Sequence, residues 1–340
     1  MPLAVRTPAP TFRHLMKSLV IAGLMLTFAV SAPLRAETPD TIWPPKIVRI
    51  VVPYAPGSTP DLVGRIVADE LQLRHPGSSF IVENKPGAGG NIGTDAVAKA
   101  RPDGATLGIS LGGPLAINTL LFSKLPYDPA KDIAPITMLT SLPSVLVVPS
   151  SLNVNSVADF LTALKRDGGK LAFGSIGPGS LSHLTMEAIA QRARGSMVHI
   201  PYGGSPQAVT AVLRGDVQAA CLPAIAVTPQ LASGQLKILA VATAQRSRFL
   251  PDVPTLKESG IDVESDAWNA LIAPANTPPP IIAQINDEVR DALTKPSVRQ
   301  RLEAQLIEPT PSTPQALSAR MDAEIKLWSD VIKRGDIRIN

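Results

Sequence analysis

The sequence has 340 residues, of which 45% are hydrophobic and 18% are charged. That content is sufficient for one large domain or two medium ones and excludes a disordered chain. Four of its 32 basic residues lie before residue 37, in a segment predicted to be removed, which leaves 28 basic and 28 acidic residues. A near-neutral mature protein without a Lys/Arg cluster is not expected to bind nucleic acid. The single cysteine, Cys221, excludes an intrachain disulfide and lies in an apolar stretch typical of a buried thiol.

The first 36 residues are typical of a secretory signal peptide. Three basic residues precede an apolar run over 18–30, and small residues follow up to Ala36. The run is shorter than the roughly 20 residues that a bilayer-spanning helix needs, although a retained membrane anchor is the alternative. We therefore predict a signal peptide over 1–36, starting at Met1 or Met16, and a periplasmic mature protein.

The next part of the chain alternates between strand and helix patterns. Strands are predicted over 47–52, 80–83 and 106–110, with helices over 61–73 and 92–99. This alternation predicts a parallel sheet covered by helices.

The same alternation restarts at residue 145. Five strands are predicted there, over 145–148, 171–175, 198–200, 217–222 and 238–243. Ser156 is the expected N-cap of the first helix between them, and Ser205-Pro206 opens a later one. Two α/β units in tandem are therefore predicted.

The C-terminal part carries helices without a matching series of strands. One helix is predicted over 281–293, and another from an N-cap at Thr313 to about Lys333. These helices are expected to pack back on the first α/β unit.

Three loops follow predicted strands, where ligands bind in parallel α/β sheets and where helix N-termini favour anions. In the loop over 53–61, Gly57 allows close approach of a ligand to the backbone. Asp61 suits the first helical turn, and a purely structural role at the helix start is its alternative. The loop over 84–93 is rich in glycine but matches neither a dinucleotide fingerprint nor a Walker loop. The third loop covers 174–183.

Catalytic motifs are not found. The sequence contains no G-x-S-x-G element, and its four histidines never occur at H-x-x-x-H spacing. No enzyme activity, metal or cofactor is therefore expected. The alternative is a hydrolase that uses Ser175 and His183, although His183 is expected to be a helix-packing residue.

Several short segments together resemble one family. They include N-K-P-G-A-G-G-N-I-G over 84–93, R-P-D-G-A-T-L over 101–107, L-P-Y-D over 125–128, I-P-Y-G-G over 200–204 and D-V-P-T over 252–255. In this order they resemble the Bug-type solute-binding proteins of tripartite tricarboxylate transporters. The resemblance covers residues 44–335.

The resemblance implies a two-lobed type II (Venus-flytrap) binding protein with two α/β domains joined by crossing strands. Lobe 1 would consist of 44–145 plus 266–340, and lobe 2 of 146–265. Such a protein captures a small carboxylate, catalyses nothing and is expected to be a monomer, with the membrane permease subunits as its further partner. An ABC-type binding protein for another polar solute is the alternative.

The resemblance also nominates ligand-binding residues. In lobe 1, backbone groups and ordered water would hold a carboxylate, and lobe 2 would contact the rest of the ligand. The nominated residues are Tyr54, Ala55, Gly57, Ser58, Asp61, Asn84, Ala88, Gly89, Gly90, Ser175, Ser180, Tyr202 and Gly204. Two positions depart from the family pattern, because Ser58 replaces a frequent glycine and Gln218 a frequent aspartate. The loss of that aspartate favours plain carboxylates over amino acids.

Overall fold

The computed structural model describes residues 43–339, so the predicted signal peptide over 1–36 lies outside the described residues. The strands are β1 (Ile47–Val52), β2 (Ser79–Asn84), β3 (Thr106–Leu111), β4 (Ile133–Leu142), β5 (Ser144–Pro149), β6 (Ala172–Ser175), β7 (Val198–Pro201), β8 (Ala219–Pro223), β9 (Leu236–Val241), β10 (Ala267–Pro274) and β11 (Glu308–Pro309). The helices are α1 (Thr59–Arg74), α2 (Asn91–Ala98), α3 (Asn118–Leu121), α4 (Pro129–Asp132), α5 (Val157–Asp167), α6 (Leu181–Arg192), α7 (Ser205–Arg214), α8 (Ala224–Val227), α9 (Pro279–Thr294), α10 (Pro296–Glu303) and α11 (Pro314–Gly335). No helix within this part of the chain is long and apolar enough to cross a membrane.

The strands form two mixed sheets. The first has the order β11-β4-β10-β3-β1-β2, and the second has the order β7-β6-β8-β5-β9. Strands that the chain reaches through a helix, such as β1, β2 and β3, are parallel as predicted. The prediction of wholly parallel sheets is wrong for β10, which is antiparallel to β3 and β4, and for β5, which is antiparallel to β8 and β9.

Apart from the short edge strand β11, which is antiparallel to β4, the antiparallel strands β5 and β10 are those that enter a sheet directly from the other sheet. The chain passes from β4 to β5 through Pro143 alone, and it returns over 242–266 to β10. Parallel neighbours need a long crossover connection, usually a helix, and no helix precedes either of these strands. They can therefore pair in the antiparallel direction. β4 was not predicted, because Pro135 interrupts its strand pattern. The lobe boundaries at 145 and 266 stay a prediction.

Helices cover both faces of each sheet. In the first sheet, α1 and α9 pack on one face through residues such as Ile66 and Ile285, while α2 and the start of α11 cover the other. In the second sheet, α7 covers one face, and α5 and α6 contribute Phe160 and Ile189 to the other. This is the three-layer arrangement expected of α/β domains.

Helix α11 belongs to two hydrophobic cores. Its N-cap is Thr313 as predicted, since Thr313 Oγ1 accepts a hydrogen bond from the Ala316 amide. Leu317 and Met321 pack against the first sheet, whereas Trp328 and its neighbours join the core of the second. The expectation that the last helix packs on the first unit alone is therefore wrong for its second half.

The position of Trp328 leads to a stability prediction. Trp328 is fully buried and its indole N–H has no hydrogen-bond partner among residues 43–339. We expect Trp328→Ala to lower the free energy of unfolding by about 3–5 kcal/mol, because it leaves a large cavity. Trp328→Phe should cost much less, since it keeps a ring and removes the unpaired donor. Urea unfolding of both variants, with exposed Lys326→Ala as the control, tests this. Equal midpoints for Trp328→Ala and Lys326→Ala would contradict it.

Candidate functional site

A cavity of about 470 Å³ lies between the strand-end loops of the two sheets. Its volume falls within the range of small-molecule sites. Most of its side chains are apolar: Leu111, Ile117, Phe122, Ile176, Leu181, Trp268 and Ile339. The polar side chains that line it are Tyr54, Asn118, Ser180, Asp266 and Glu324.

The first two loops of lobe 1 are joined by hydrogen bonds. Tyr54 Oη donates to Gly89 O at 3.1 Å, which connects the loop after β1 with the loop after β2. Asn84 Nδ2 donates to Tyr54 O and to Asp61 Oδ1, both at 2.9 Å. Tyr54 and Gly89 line the cavity, whereas Asn84 holds the loops in position behind them.

Asp61 is a structural residue of the first loop. Its carboxylate accepts hydrogen bonds from the Gly57 amide at 2.9 Å and from two nitrogens of Arg65 at 3.0 Å. Burial alone would raise the pKa of Asp61, but the hydrogen bonds from Arg65, Gly57 and Asn84 hold it below its usual value. Asp61 is buried and does not line the cavity, so its alternative role at the helix start fits the structure better than ligand contact.

The backbone over 88–90 turns with three consecutive positive φ angles. Ala88, Gly89 and Gly90 have φ of 47°, 63° and 93°. A Cβ at Gly90 would lie 2.8 Å from Pro114 Cγ and 3.0 Å from Tyr54 Oη, so only glycine fits there. The turn brings Gly89 to the cavity wall, while Ala88 and Gly90 do not line it.

A further loop, which the sequence analysis missed, follows β3. Gly112 and Gly113 line the cavity, and so does Asn118 at the start of α3. Asn118 Nδ2 donates to Asn91 Oδ1 at 2.7 Å, which fixes the orientation of its amide. A glycine pair at the carboxyl end of a predicted parallel strand was the signal that could have identified this loop.

One part of the loop after β6 lines the cavity, and the other part is buried behind it. Ser180 lines the cavity, and its hydroxyl donates to Gly177 O at 2.6 Å and caps α6. Ser175 is fully buried, and its hydroxyl lies 2.7 Å from His199 Nε2. The alternative of a Ser175–His183 hydrolase has no support here, because Ser175 pairs with His199 and is closed to substrate.

The histidines behind this loop form a stacked pair. The rings of His183 and His199 lie 3.7 Å apart between centroids, with Phe173 stacked on His199. The Gly179 amide donates to His183 Nδ1 at 3.0 Å, so this nitrogen must be unprotonated. Burial and the neighbouring His199 lower the pKa of His183 to about 4. The neutral ring thus helps to hold the loop that lines the cavity.

Several nominated residues lie away from the cavity. Ala55, Gly57 and Ser58 belong to the first loop but do not line it. Tyr202 lies in a separate shallow groove beside Arg214 on α7, and its neighbour Gly204 precedes that helix.

The side chain of Gln218 forms hydrogen bonds only with backbone groups of residues 43–339. Its side chain accepts from the Ala172 amide at 2.9 Å and donates to Gly215 O at 3.0 Å. It does not line the cavity, so its identity carries no information about the ligand.

The charged residues that line the cavity, within the described chain, are both acidic. Arg320 Nη2 lies 2.6 Å from Asp266 Oδ1 and 2.9 Å from Glu324 Oε1. Trp268 Nε1 donates to Glu324 Oε1 at 2.6 Å. An anion in this cavity would therefore be bound by neutral donors.

Comparisons with known proteins agree on one family. The family model described as "Tripartite tricarboxylate transporter family receptor" matches residues 63–337. Protein BugT of Bordetella pertussis is 33% identical over 323 residues, covering 94% of this chain and 98% of BugT. A solved structure of an R. palustris protein with adipate has a TM-score of 0.72 at 33% identity, covering 87% of this chain and 99% of that one. MatC of Rhodopseudomonas palustris with bound malate has a TM-score of 0.68 at 31% identity, covering 85% and 100%.

The buried His183 predicts a loss of stability in mild acid. An unfolded histidine has a pKa near 6.5, so the unfolded chain binds more protons between about pH 6.5 and 4. Stability should be complete above this window and fall by up to about 3 kcal/mol as the pH drops through it. Chemical denaturation at about pH 7.5 and 5, on wild type and His183→Asn, tests this. A variant whose stability depends on pH as steeply as the wild type would contradict it.

Proposed function

The chain belongs to the tripartite tricarboxylate transporter receptor family, and on that premise we propose that it is an exported periplasmic receptor for a small carboxylate. The family consists of solute-binding receptors, so the prediction of a binding protein and not an enzyme is confirmed. The fold prediction is confirmed too, since the two α/β units match solved periplasmic binding proteins of this family.

The cavity between the two sheets is the proposed ligand site. The observation that carries the proposal is the meeting of four strand-end loops there, with Tyr54, Gly89, Gly113 and Ser180 on the wall. Backbone amides of such loops can hold a carboxylate without a cation, because neutral donors become effective where water is excluded. Two relatives of the chain have been solved with the carboxylates adipate and malate.

Export and partners follow from the same family. The charged, apolar and small segments within residues 1–36 support secretion to the periplasm. There a monomeric receptor would close on its ligand by a hinge motion and deliver it to membrane permease subunits. The chain segments at Pro143 and over 242–266 would act as the hinge, since they join the sheets.

Asn118 provides a direct test of the carboxylate site. Asn118→Asp places a negative charge on the cavity wall beside Gly89, so we expect carboxylate affinity to fall at least about tenfold. Asn118→Ala should weaken binding less, since it removes the hydrogen bond that ties the cavity wall to Asn91 without adding a negative charge. Thermal shifts with mono-, di- and tricarboxylates, followed by calorimetry on the best ligand, measure this. The exposed Asn155→Asp adds the same charge elsewhere and should bind like the wild type. Equal affinities for Asn118→Asp and Asn155→Asp would place the carboxylate at another site.

Salt dependence tests how the anion is held. No lysine or arginine from residues 43–339 lies on the cavity wall, so affinity should change less than about threefold between roughly 20 and 200 mM salt. Lys85 belongs to the second loop but does not line the cavity, and it forms an ion pair with Glu83 at 3.2 Å. Calorimetry at the two salt concentrations measures the change. A steep loss of affinity at high salt, removed by Lys85→Gln, would show that a lysine binds the ligand.

A further inference from the structure

Glu324 is a buried carboxylate whose two oxygens differ in their hydrogen bonding. Its Oε1 accepts hydrogen bonds from Trp268 Nε1 at 2.6 Å and from Arg320 Nη2 and Nε at 2.9 and 3.1 Å. Its Oε2 accepts none from any residue over 43–339. The residue is only 5% exposed, yet it lines the cavity. Oε2 is thus an acceptor that faces the cavity and is free for a ligand.

The backbone of Gly112 leaves the free oxygen accessible. A Cβ at Gly112 would lie 2.8 Å from Glu324 Oε2 and 3.0 Å from Trp268 Nε1. The φ of Gly112 is −54°, so glycine is needed there for space and not for its backbone conformation. Any side chain at this position would displace Glu324 or cover its free oxygen.

The same wall leads from Glu324 to the proposed carboxylate site. Gly113 follows Gly112 directly, and a Cβ at Gly113 would lie 3.8 Å from Asn118 Oδ1. Asn118 and Glu324 therefore contact neighbouring residues of the same wall, and both line the one cavity, so a single ligand can touch both.

Neighbouring charges do not satisfy Oε2. Arg320 also pairs with Asp266 and with Glu264, so three carboxylates share one guanidinium. Both oxygens of Asp266 are used, one by Arg320 and the other by Ser141. A second ligand carboxylate placed here would meet repulsion, whereas a hydroxyl or ammonium group would find an unused acceptor.

We propose that Glu324 determines ligand specificity by accepting a hydrogen bond through Oε2, so that the ligand is a carboxylate that also carries a hydroxyl or ammonium group. The inference rests on the proposed carboxylate site and narrows its ligand class. It differs from the sequence-based preference for plain carboxylates, which depended on Gln218, a residue outside the cavity.

The test uses ligands that differ only in the group distant from the carboxylate. The four-carbon set is butyrate, 4-hydroxybutyrate, 4-aminobutyrate and succinate, and the six-carbon set is hexanoate, 6-hydroxyhexanoate, 6-aminohexanoate and adipate. Burial raises the pKa of Glu324 while Arg320 and Trp268 oppose this, so affinities are measured at a mildly alkaline pH, which favours the ionised carboxylate. The hydroxyl- or amino-bearing member of one set should bind at least about tenfold tighter than its plain and dicarboxylate counterparts. Tighter binding of the amino than of the hydroxyl member identifies ammonium as the group.

The variant Glu324→Gln should reverse this preference. Its amide oxygen can keep the contacts of Oε1, while its NH₂ group replaces Oε2 and donates to the cavity. The hydroxyl or amino member should lose about tenfold in affinity, and the dicarboxylate should gain. Glu264→Gln, at the exposed partner of the same Arg320, is the control and should keep the wild-type order.

Three results would overturn the inference. A wild type that prefers the dicarboxylate, or a Glu324→Gln variant that keeps the wild-type order, contradicts the role of Glu324 but leaves carboxylate binding intact. The absence of binding by every member of both sets, and by the broader carboxylate panel, rejects the proposed function itself.

Discussion

The described fold depends on one amphipathic helix that is shared by two cores. Helix α11 contributes Leu317 and Met321 to the first sheet and Trp328 to the second. Apolar burial of this kind is the main favourable term in folding. It holds the two α/β units at a separation that leaves a cavity between their strand-end loops. The same helix carries Glu324, so the element that joins the cores also supplies one of the two acidic residues on the cavity wall.

Some residues of the site hold its loops in position, whereas others are accessible to a ligand. Asp61 and Asn84 are occupied by hydrogen bonds within the first two loops, and Ser175 is occupied by His199. Their side chains have no capacity left for a solute, but they fix Tyr54 and Gly89 on the cavity wall. Such support is what a binding site needs, because a wall that is rigid before binding loses less entropy when the ligand enters.

Much of the fold could be predicted from the sequence, because β-branched runs and helix caps act locally. The strands β1 to β3 and the caps at Ser156 and Thr313 illustrate this. The crossing strands were harder, since their direction depends on how the chain passes between sheets. Of the nominated residues, Tyr54, Gly89 and Ser180 line the cavity. Glu324 and Trp268 could not be found from local patterns, because the fold brings them from distant segments to the loops after β1, β2 and β3.

The position of Ile339 has a practical consequence for labelling the protein. Ile339 lines the cavity, and it packs so closely on Gly179 that a Cβ there would overlap its side chain. Ile339 also bridges to Phe122 on the opposite side. A dye or tag attached next to Ile339 would lie at the cavity wall and compete with a ligand for space. Purification handles and reporter dyes therefore belong elsewhere on the surface, such as at the exposed Lys326 on the outer face of α11.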